Sequence, residues 1–371
     1  MSKMFLRLAP NVPLVASIAQ PAAPRRVLIV KPSSLGDVVT AMPILRGLRR
    51  TFGRDVHVAW LLVKSCAPLV AHDADLNEVI LFDRKALGLA WRSGAGLSAL
   101  RELGRSLHRE RFDWVIDAQG LLRSGLVTRG TGSAVRAGFG DAREGAWLFY
   151  NRRVTPKALH TVDRNIELAR SLGIDARGED MALTISPAGA SFAEEFCGRH
   201  GLRRGGYLVA VPPTRWPTKL YPARHWQAVI AELSRDLPVV LIGSPSEGPI
   251  VQAACDGLSG PAVINAAGQT DVAQMVGLIA ASAGVICSDS AAKFIAPAVG
   301  VECVCIIGPT RVEHSGPYLR GKAVVSPVAC QGCLRRQCPH TTCMAAISPQ
   351  QVIAAAREML GIAECRLRTT D

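Results

Sequence analysis

Aromatic residues are scarce, at 5% of 371 residues, and they are not interleaved with the basic side chains. Modules that stack bases on aromatic platforms between arginines have little to build with, so nucleic acid is not the expected partner. No apolar run approaches the roughly 18 uninterrupted residues of a membrane-spanning helix, because Gly, Pro or a charge interrupts each long one. Neither G-x-G-x-x-G nor G-x-x-x-x-G-K-[ST] follows an aliphatic stretch, which removes the main support for a dinucleotide oxidoreductase and for a P-loop nucleotidase. No internal repeat of about 20 to 50 residues stands out, against a solenoid or propeller. Acidic residues are the minority, 30 against 43 Lys plus Arg, and the net charge of +13 favours phosphates or an anionic surface.

What is present is a globular composition, 49% apolar, on a chain long enough for two domains at about 150 residues each. The cysteines number 11, and several lie in apolar runs (Cys287, Cys303, Cys305), where a thiol acts as a small hydrophobe. That usage fits a reducing cytoplasm. Residues 1–24 read as a flexible tail, since Pro10, Pro13, Pro21 and Pro24 would break the apolar helix of a secretory signal.

From Arg26 the pattern is strand, loop, helix, repeated. Val27 to Val30 reads as a strand buried on both faces, and Val38 to Arg50 places Val39, Met42, Leu45 and Leu48 at helical intervals. Further strands are predicted at 56–62, 79–82 and 114–116, with a helix near 97–107. Residues 174–205 turn polar and glycine-containing. A second series then predicts strands at 207–211, 239–242, 262–264, 284–287 and 303–307, and helices at 224–233 and 272–281. Such alternation argues an α/β fold with doubly wound sheets, two in tandem, whose facing strand ends form a cleft. A final helix over 349–360 would pack on either half.

Three loops carry the candidate chemistry. Lys31-Pro32-Ser33-Ser34-Leu35-Gly36-Asp37 follows the first strand; Asp37 would point into the cleft as a general base, or cap a helix beginning at Val38. Thr214 to Pro222, with Arg215, Thr218 and Lys219, makes an anion clamp or a Pro-stiffened surface loop. Cys287-Ser288-Asp289-Ser290-Ala291-Ala292-Lys293 offers a helix N-terminus for a diphosphate, with capping by Asp289 or Ser290 as the more ordinary explanation. Glu247, in Gly243 to Glu247, would accept ribose hydroxyls or serve as a first-turn helix charge. Cys330, Cys333, Cys338 and Cys343 have the chemistry of metal ligands, but all four crowd together where the pairs of a zinc ribbon are separated by a loop of roughly 12 to 20 residues. Zinc there would be structural, and no metal is the preferred reading.

The run Val27 to Val38 resembles the opening of the lipopolysaccharide heptosyltransferases, glycosyltransferase family 9. The resemblance continues through Asp117-Ala118-Gln119-Gly120-Leu121-Leu122-Arg123-Ser124, Ala142 to Gly145 with Phe149 to Arg152, and His160 to Arg164. It then covers Thr214 to Trp226, Asp289-Ser290 and Gly308-Pro309-Thr310, so that it spans nearly all of residues 26 to 360. The cysteine cluster is also similar to a Cys-rich segment found in the family. One departure stands out: where the family reads Asp-Thr-Gly-x-x-His, this chain has Asp289-Ser290-Ala291-Ala292-Lys293-Phe294.

The resemblance implies a GT-B architecture of two Rossmann-like domains: tail 1–24, acceptor domain 25–180, nucleotide-sugar domain 181–348, and C-terminal helix and tail 349–371. It implies inverting, metal-independent transfer of heptose from ADP-heptose to a Kdo residue of Kdo2-lipid A, with no cofactor required. Asp37 would be the base. Thr214, Lys219, Glu247, Asp289, Ser290 and Ala291 would hold the donor, and Ser34, Arg84, Arg123, Arg143, His160 and Arg164 the acceptor. The implied location is cytoplasmic, peripheral on the inner membrane. Phe294 keeps open another nucleotide-sugar or acceptor, or a nucleotide-sugar-binding protein without turnover.

Overall fold

The computed structural model describes residues 21–82, 94–258 and 260–362. Arg26–Val30 forms strand β1, and its residues 27–30 are wholly buried. Around it lie His57–Leu62 (β2), Glu78–Leu81 (β3), Trp114–Asp117 (β4), Val135–Phe139 (β5) and Arg152–Val154 (β6), in the parallel order β3-β2-β1-β4-β5-β6. A second parallel sheet is built from Leu208–Val211 (β7), Val239–Leu241 (β8), Val263–Asn265 (β9), Gly284–Ser288 (β10), Cys303–Ile307 (β11) and Lys322–Val325 (β12). Its order is β12-β11-β10-β7-β8-β9. Counted from its own first strand, each sheet has the doubly wound order 3-2-1-4-5-6, and the two together make the GT-B α/β fold. Helices cover the sheets, which is why the central strands are continuous aliphatic runs rather than alternating ones.

The helix expected from Val38 is two helices. Leu35–Thr40 starts earlier, and Met42–Phe52 begins after a break at Ala41, with Pro43 in its first turn. Pro43 has no N–H to donate to a preceding turn and so fits only where a new helix starts. The apolar spacing runs across this joint, so periodicity alone shows one helix. The polar stretch 174–205 holds the helix Pro187–His200, capped by Ser186, whose Oγ accepts from Gly189 N at 3.0 Å, and closed by Gly201 at φ 63°. Its buried face is Gly189, Ala193, Phe196 and Cys197, one large side chain among small ones, which gives a weak periodic signal.

Three strands, β5, β6 and β12, and the helices Leu122–Gly130 and Thr161–Arg170 were not expected from the pattern. β6 and β12 are edge strands carrying Arg152, Arg153 and Lys322, and charged edges mask an aliphatic signature. The final helix, Pro349–Met359, packs on Ala223–Leu233 of the second half. There Arg357 bridges Asp236 Oδ2 and Glu232 Oε1 at 2.8 Å each. Apolar contacts run without a break from the first sheet to the second, and Leu183 N donates to Ala298 O at 2.8 Å.

Candidate active site

Where the order of a doubly wound sheet reverses, the carboxyl ends of two adjacent strands diverge and leave a crevice for ligands. In this chain the reversals fall between β1 and β4 and between β7 and β10. The loops leaving those four strands contain the Asp37, Arg123, Lys219 and Asp289 motifs.

Lys31 ends the first aliphatic run, is 6% exposed, and donates from Nζ to Ala118 O at 2.8 Å, tying the loop after β1 to the loop after β4. Ser34 is the N-cap of helix Leu35–Thr40, and Asp37, at its third position, reaches back: Oδ2 accepts from Ser34 N at 2.9 Å and from Ser34 Oγ at 2.8 Å. Asp37 thus does cap, but the helix begins at Leu35 rather than Val38. Its Oδ1 lies 3.8 Å from Lys31 Nζ, and the side chain keeps 45% of its surface open. Enclosure by protein pushes the Asp37 pKa up, but the charge of Lys31, the two Ser34 bonds and the more distant charge of Lys293 outweigh it and hold the carboxyl below its ordinary value. Asp37 is therefore an ionised acceptor at neutral pH with one oxygen uncommitted to the cap. Behind it, fully buried Asp117 accepts from Gln119 N at 2.9 Å, Gly120 N at 3.1 Å and Tyr150 OH at 2.7 Å, fixing the turn that leads to Arg123.

In the second half, Asp289 is 3% exposed and caps nothing; helix Ala292–Ala298 starts at Ala291 without a side-chain cap. The Asp289 carboxylate instead pairs with Lys219 Nζ at 2.8 Å and with Lys293, and accepts from Thr310 Oγ1. Burial raises its pKa, but Lys293 and Lys219 more than compensate and bring it down to about 2. Thr214 Oγ1 donates to Asp289 O at 2.9 Å, and Ser288 Oγ to Pro212 O at 2.7 Å, so the loops after β7 and β10 are locked together. Lys219 also lies 4.3 Å from the centroid of Trp216, whose ring is shared with the Arg336 guanidinium at 4.8 Å. Beside this clamp the buried Ser290 Oγ has no partner. Three ammonium groups (Lys31, Lys219, Lys293) face two carboxylates (Asp37, Asp289), leaving one positive charge for an anionic ligand.

The halves touch where Gly36 meets the second domain. A Cβ on Gly36 would stand 3.1 Å from Phe294 Cδ2 and 3.4 Å from Ala291 Cα, so any side chain here presses on the second half. Phe294 is 6% exposed and presents its edge to His160 at 6.2 Å. His160 caps helix Thr161–Arg170, lies 3.1 Å from Gly316 O through Nε2, and stacks on Tyr318 at 4.9 Å. Burial lowers its pKa, which keeps the imidazole neutral at pH 7. Phe294 therefore supplies apolar packing at the domain contact. Gly36→Val is expected to cost about 1–3 kcal/mol through overpacking; urea denaturation measures this, and adding Phe294→Ala should recover part of the loss.

Of the remaining candidates, Arg84 lies outside the described residues. Arg123 and Arg143 are both exposed, at the start of helix Leu122–Gly130 and of the Arg143–Phe149 segment packed on it. Arg164 is engaged by Asp141 at 2.8 and 2.7 Å and covers Phe139. Glu247 accepts from Ser244 N at 2.8 Å and Oγ at 2.7 Å, so it closes the turn after β8. Cys330 and Cys333 are exposed, Cys338 half-buried and Cys343 buried, and among the described residues no metal-type cluster assembles. Their loop instead buttresses the clamp: Thr218 Oγ1 donates to Arg335 O at 2.9 Å, and Gln331 Nε2 to Thr310 O at 2.8 Å. Lys31 and Thr310 lie within the recognised motifs, and spacing alone gives neither a role. A lysine directly after four buried aliphatics is the available signal for the first, since such an ammonium must find a partner.

A sequence model described as glycosyltransferase family 9 (heptosyltransferase) matches residues 100–344, more than half of the chain. Lipopolysaccharide heptosyltransferase 1 of Pseudomonas aeruginosa is 28% identical over 371 residues, covering 90% of this chain and 98% of the relative. Among solved structures, a family 9 glycosyl transferase from Veillonella parvula superposes with a TM-score of 0.76 at 21% identity, covering 91% of this chain and 98% of that one. The E. coli heptosyltransferase WaaC with ADP-2-deoxy-2-fluoro heptose gives a TM-score of 0.69 at 25% identity, over 90% of this chain and 99% of that one.

Proposed function

Because the chain belongs to glycosyltransferase family 9, we propose that it transfers heptose from ADP-heptose to a Kdo residue of Kdo2-lipid A in the lipopolysaccharide inner core. The reading is supported by similarity to lipopolysaccharide heptosyltransferases and to the structure of E. coli heptosyltransferase WaaC with ADP-2-deoxy-2-fluoro heptose. The observation that carries it is the series Asp37, Lys293, Asp289, Lys219: an ionised carboxylate on one half facing a buried charge hub on the other.

The reaction is a single in-line displacement with inversion, and no metal takes part. Asp37 Oδ1 accepts the proton of the acceptor hydroxyl as its oxygen attacks the anomeric carbon. The bond from that carbon to the β-phosphate oxygen breaks, and ADP departs with the electron pair. Lys219, the Ser290 and Ala291 amides and Thr214 stabilise the departing diphosphate, and Glu247 faces the ribose. Ser34 orients Asp37, while Arg123, Arg143 and Arg164 line the acceptor side for the carboxylates and phosphates of Kdo2-lipid A, and His160, with both ring nitrogens committed, shapes that side without meeting an anion. The enzyme works in the cytoplasm at the inner-membrane surface; among the described residues no helix is long and apolar enough to cross a membrane.

Phe294 favours a second reading, a different nucleotide-sugar or acceptor, because it offers no polar contact where the family has His. Purified protein with ADP-heptose and Kdo2-lipid A should release ADP and give a heptosylated lipid. Failure to do so, with turnover on another donor in a panel, would establish the second reading; binding of ADP without turnover on any pair would make it a nucleotide-sugar-binding protein.

A further inference from the structure

The acceptor of the proposed reaction is carried by a lipid, so on that reading the protein must meet a bilayer. Resting on it, we propose that the segment Arg143–Phe149, with the start of helix Leu122–Gly130, docks on an anionic bilayer, Trp147 and Leu148 entering the headgroup region while Arg123, Arg143 and Arg153 meet lipid phosphates.

Single exposed apolar side chains are ordinary on a protein surface. Trp147 (38% exposed) and Leu148 (61%) are the one adjacent pair of exposed large hydrophobics among the described residues. Their neighbours Ala146 and Tyr150 are buried, so a fixed turn, rather than a loose loop, presents the pair. The turn is held from both sides. A Cβ on Gly125 would fall 2.7 Å from Phe149 Cδ2 and 3.1 Å from Ala146 O, so the helix presses directly on it. Tyr150 OH is anchored to Asp117 at 2.7 Å, and Arg136 Nε donates to Phe149 O at 3.1 Å. An indole on a rigid turn has an apolar body and a polar edge, the combination enriched at membrane interfaces.

The charge around the pair has one predominant sign. Arg123 and Arg143 are exposed, and no described residue pairs with either guanidinium. The Arg153 guanidinium lies 5.1 Å from the Trp147 ring centroid, and its Nε donates to Tyr150 O. The acidic residue of the segment, Glu144, accepts from Leu122 N at 3.3 Å, at a helix N-terminus that offsets its charge. Three arginines against one such carboxylate complement lipid phosphates.

The position fits as well as the chemistry. Arg143 N donates to Gly120 O at 3.1 Å, which joins this segment to the turn after β4, and Lys31 joins that same loop to Asp37 through Ala118. A bilayer meeting Trp147 and Leu148 brings a lipid-borne sugar to the β1/β4 crevice.

The test is flotation of the full chain with vesicles of phosphatidylethanolamine and phosphatidylglycerol, against phosphatidylcholine vesicles. Wild type should partition onto the anionic vesicles and be released by salt. Trp147→Ser/Leu148→Ser should lower partitioning about tenfold, whereas Leu319→Ser/Leu334→Ser, on exposed leucines elsewhere, should not. The first variant should retain wild-type turnover on a delipidated, water-soluble Kdo acceptor and lose turnover on the vesicle-borne one. Equal partitioning of this variant and wild type would overturn the docking surface, as would equal wild-type binding to neutral vesicles. If wild type fails on both acceptors, the reading of the reaction is wrong, and the flotation result still judges the surface by itself.

Discussion

Asp37→Asn is expected to slow transfer by about 10²–10⁴-fold, the range a positioned general base contributes, while leaving ADP affinity unchanged. Asparagine keeps an oxygen able to accept the Ser34 N–H bond that closes the first helical turn, so the fold should survive and the loss should be chemical. Steady-state kinetics against ADP titration calorimetry separate the two. The wild-type carboxyl is held below the ordinary carboxylate range by Lys31 and the Ser34 bonds, despite its enclosure. Its protonation should therefore not limit turnover near neutral pH, and an acid limb at about pH 6 would belong to another group. Normal turnover by the variant would remove Asp37 from the reaction.

The second large effect is at Asp289. Asp289→Asn leaves the buried ammonium of Lys293 facing a neutral amide, and losing one partner of a buried pair costs about 3–5 kcal/mol. Lys219 loses its 2.8 Å anchor in the same step, so ADP should bind more weakly as well. Adding Lys293→Met removes the stranded charge: urea denaturation should then show most of the stability restored, and calorimetry should show ADP affinity still reduced. A double variant with wild-type affinity would mean that Asp289 does not position the clamp. The pH dependence has its origin in the same contacts. With a folded pKa of about 2, below the ordinary 3.8, Asp289 contributes stability that is complete above about pH 4 and lost as the pH falls toward 2. The Asp289→Asn variant should lack that component of acid unfolding.

Much of the fold was legible because parallel strands covered on both faces have nowhere to hide their aliphatic character. Val27 to Val30 and Cys303 to Ile307 are recognisable on sight, and both proved wholly or almost wholly buried. The edges were not: Arg152 and Arg153 give β6 the composition of a loop, and β12 is a four-residue edge strand opened by Lys322 and too short to stand out. Helix Pro187–His200 escaped because Phe196 is its one large, fully buried side chain among small ones, and its capping signals at Ser186 and Gly201 are punctuation without a clear period between them.

At the site, the order of motifs was legible and the partnerships were not. Spacing put Asp37 and Asp289 at helix starts and suggested caps for both. Asp37 caps in part, but Asp289 turns inward to Lys219 and Lys293, which are distant from one another in the chain, a choice made by the meeting of β7 and β10. Phe294 is similar: the sequence shows a missing imidazole, but only the packing of Gly36 and His160 around the ring shows what takes its place.

Sharing one carboxylate between two ammonium groups has a consequence for turnover. In the proposed reaction, Lys219 would exchange its protein partner for a phosphate oxygen when the diphosphate arrives, and Lys293 would stay behind so that the interior anion is never stranded. Product departure reverses the exchange, and the interior carboxylate keeps a cationic partner throughout. A single counter-ion in that place would have to choose between the ligand and the protein; the pair removes the conflict, so tight nucleotide capture and ready release can coexist.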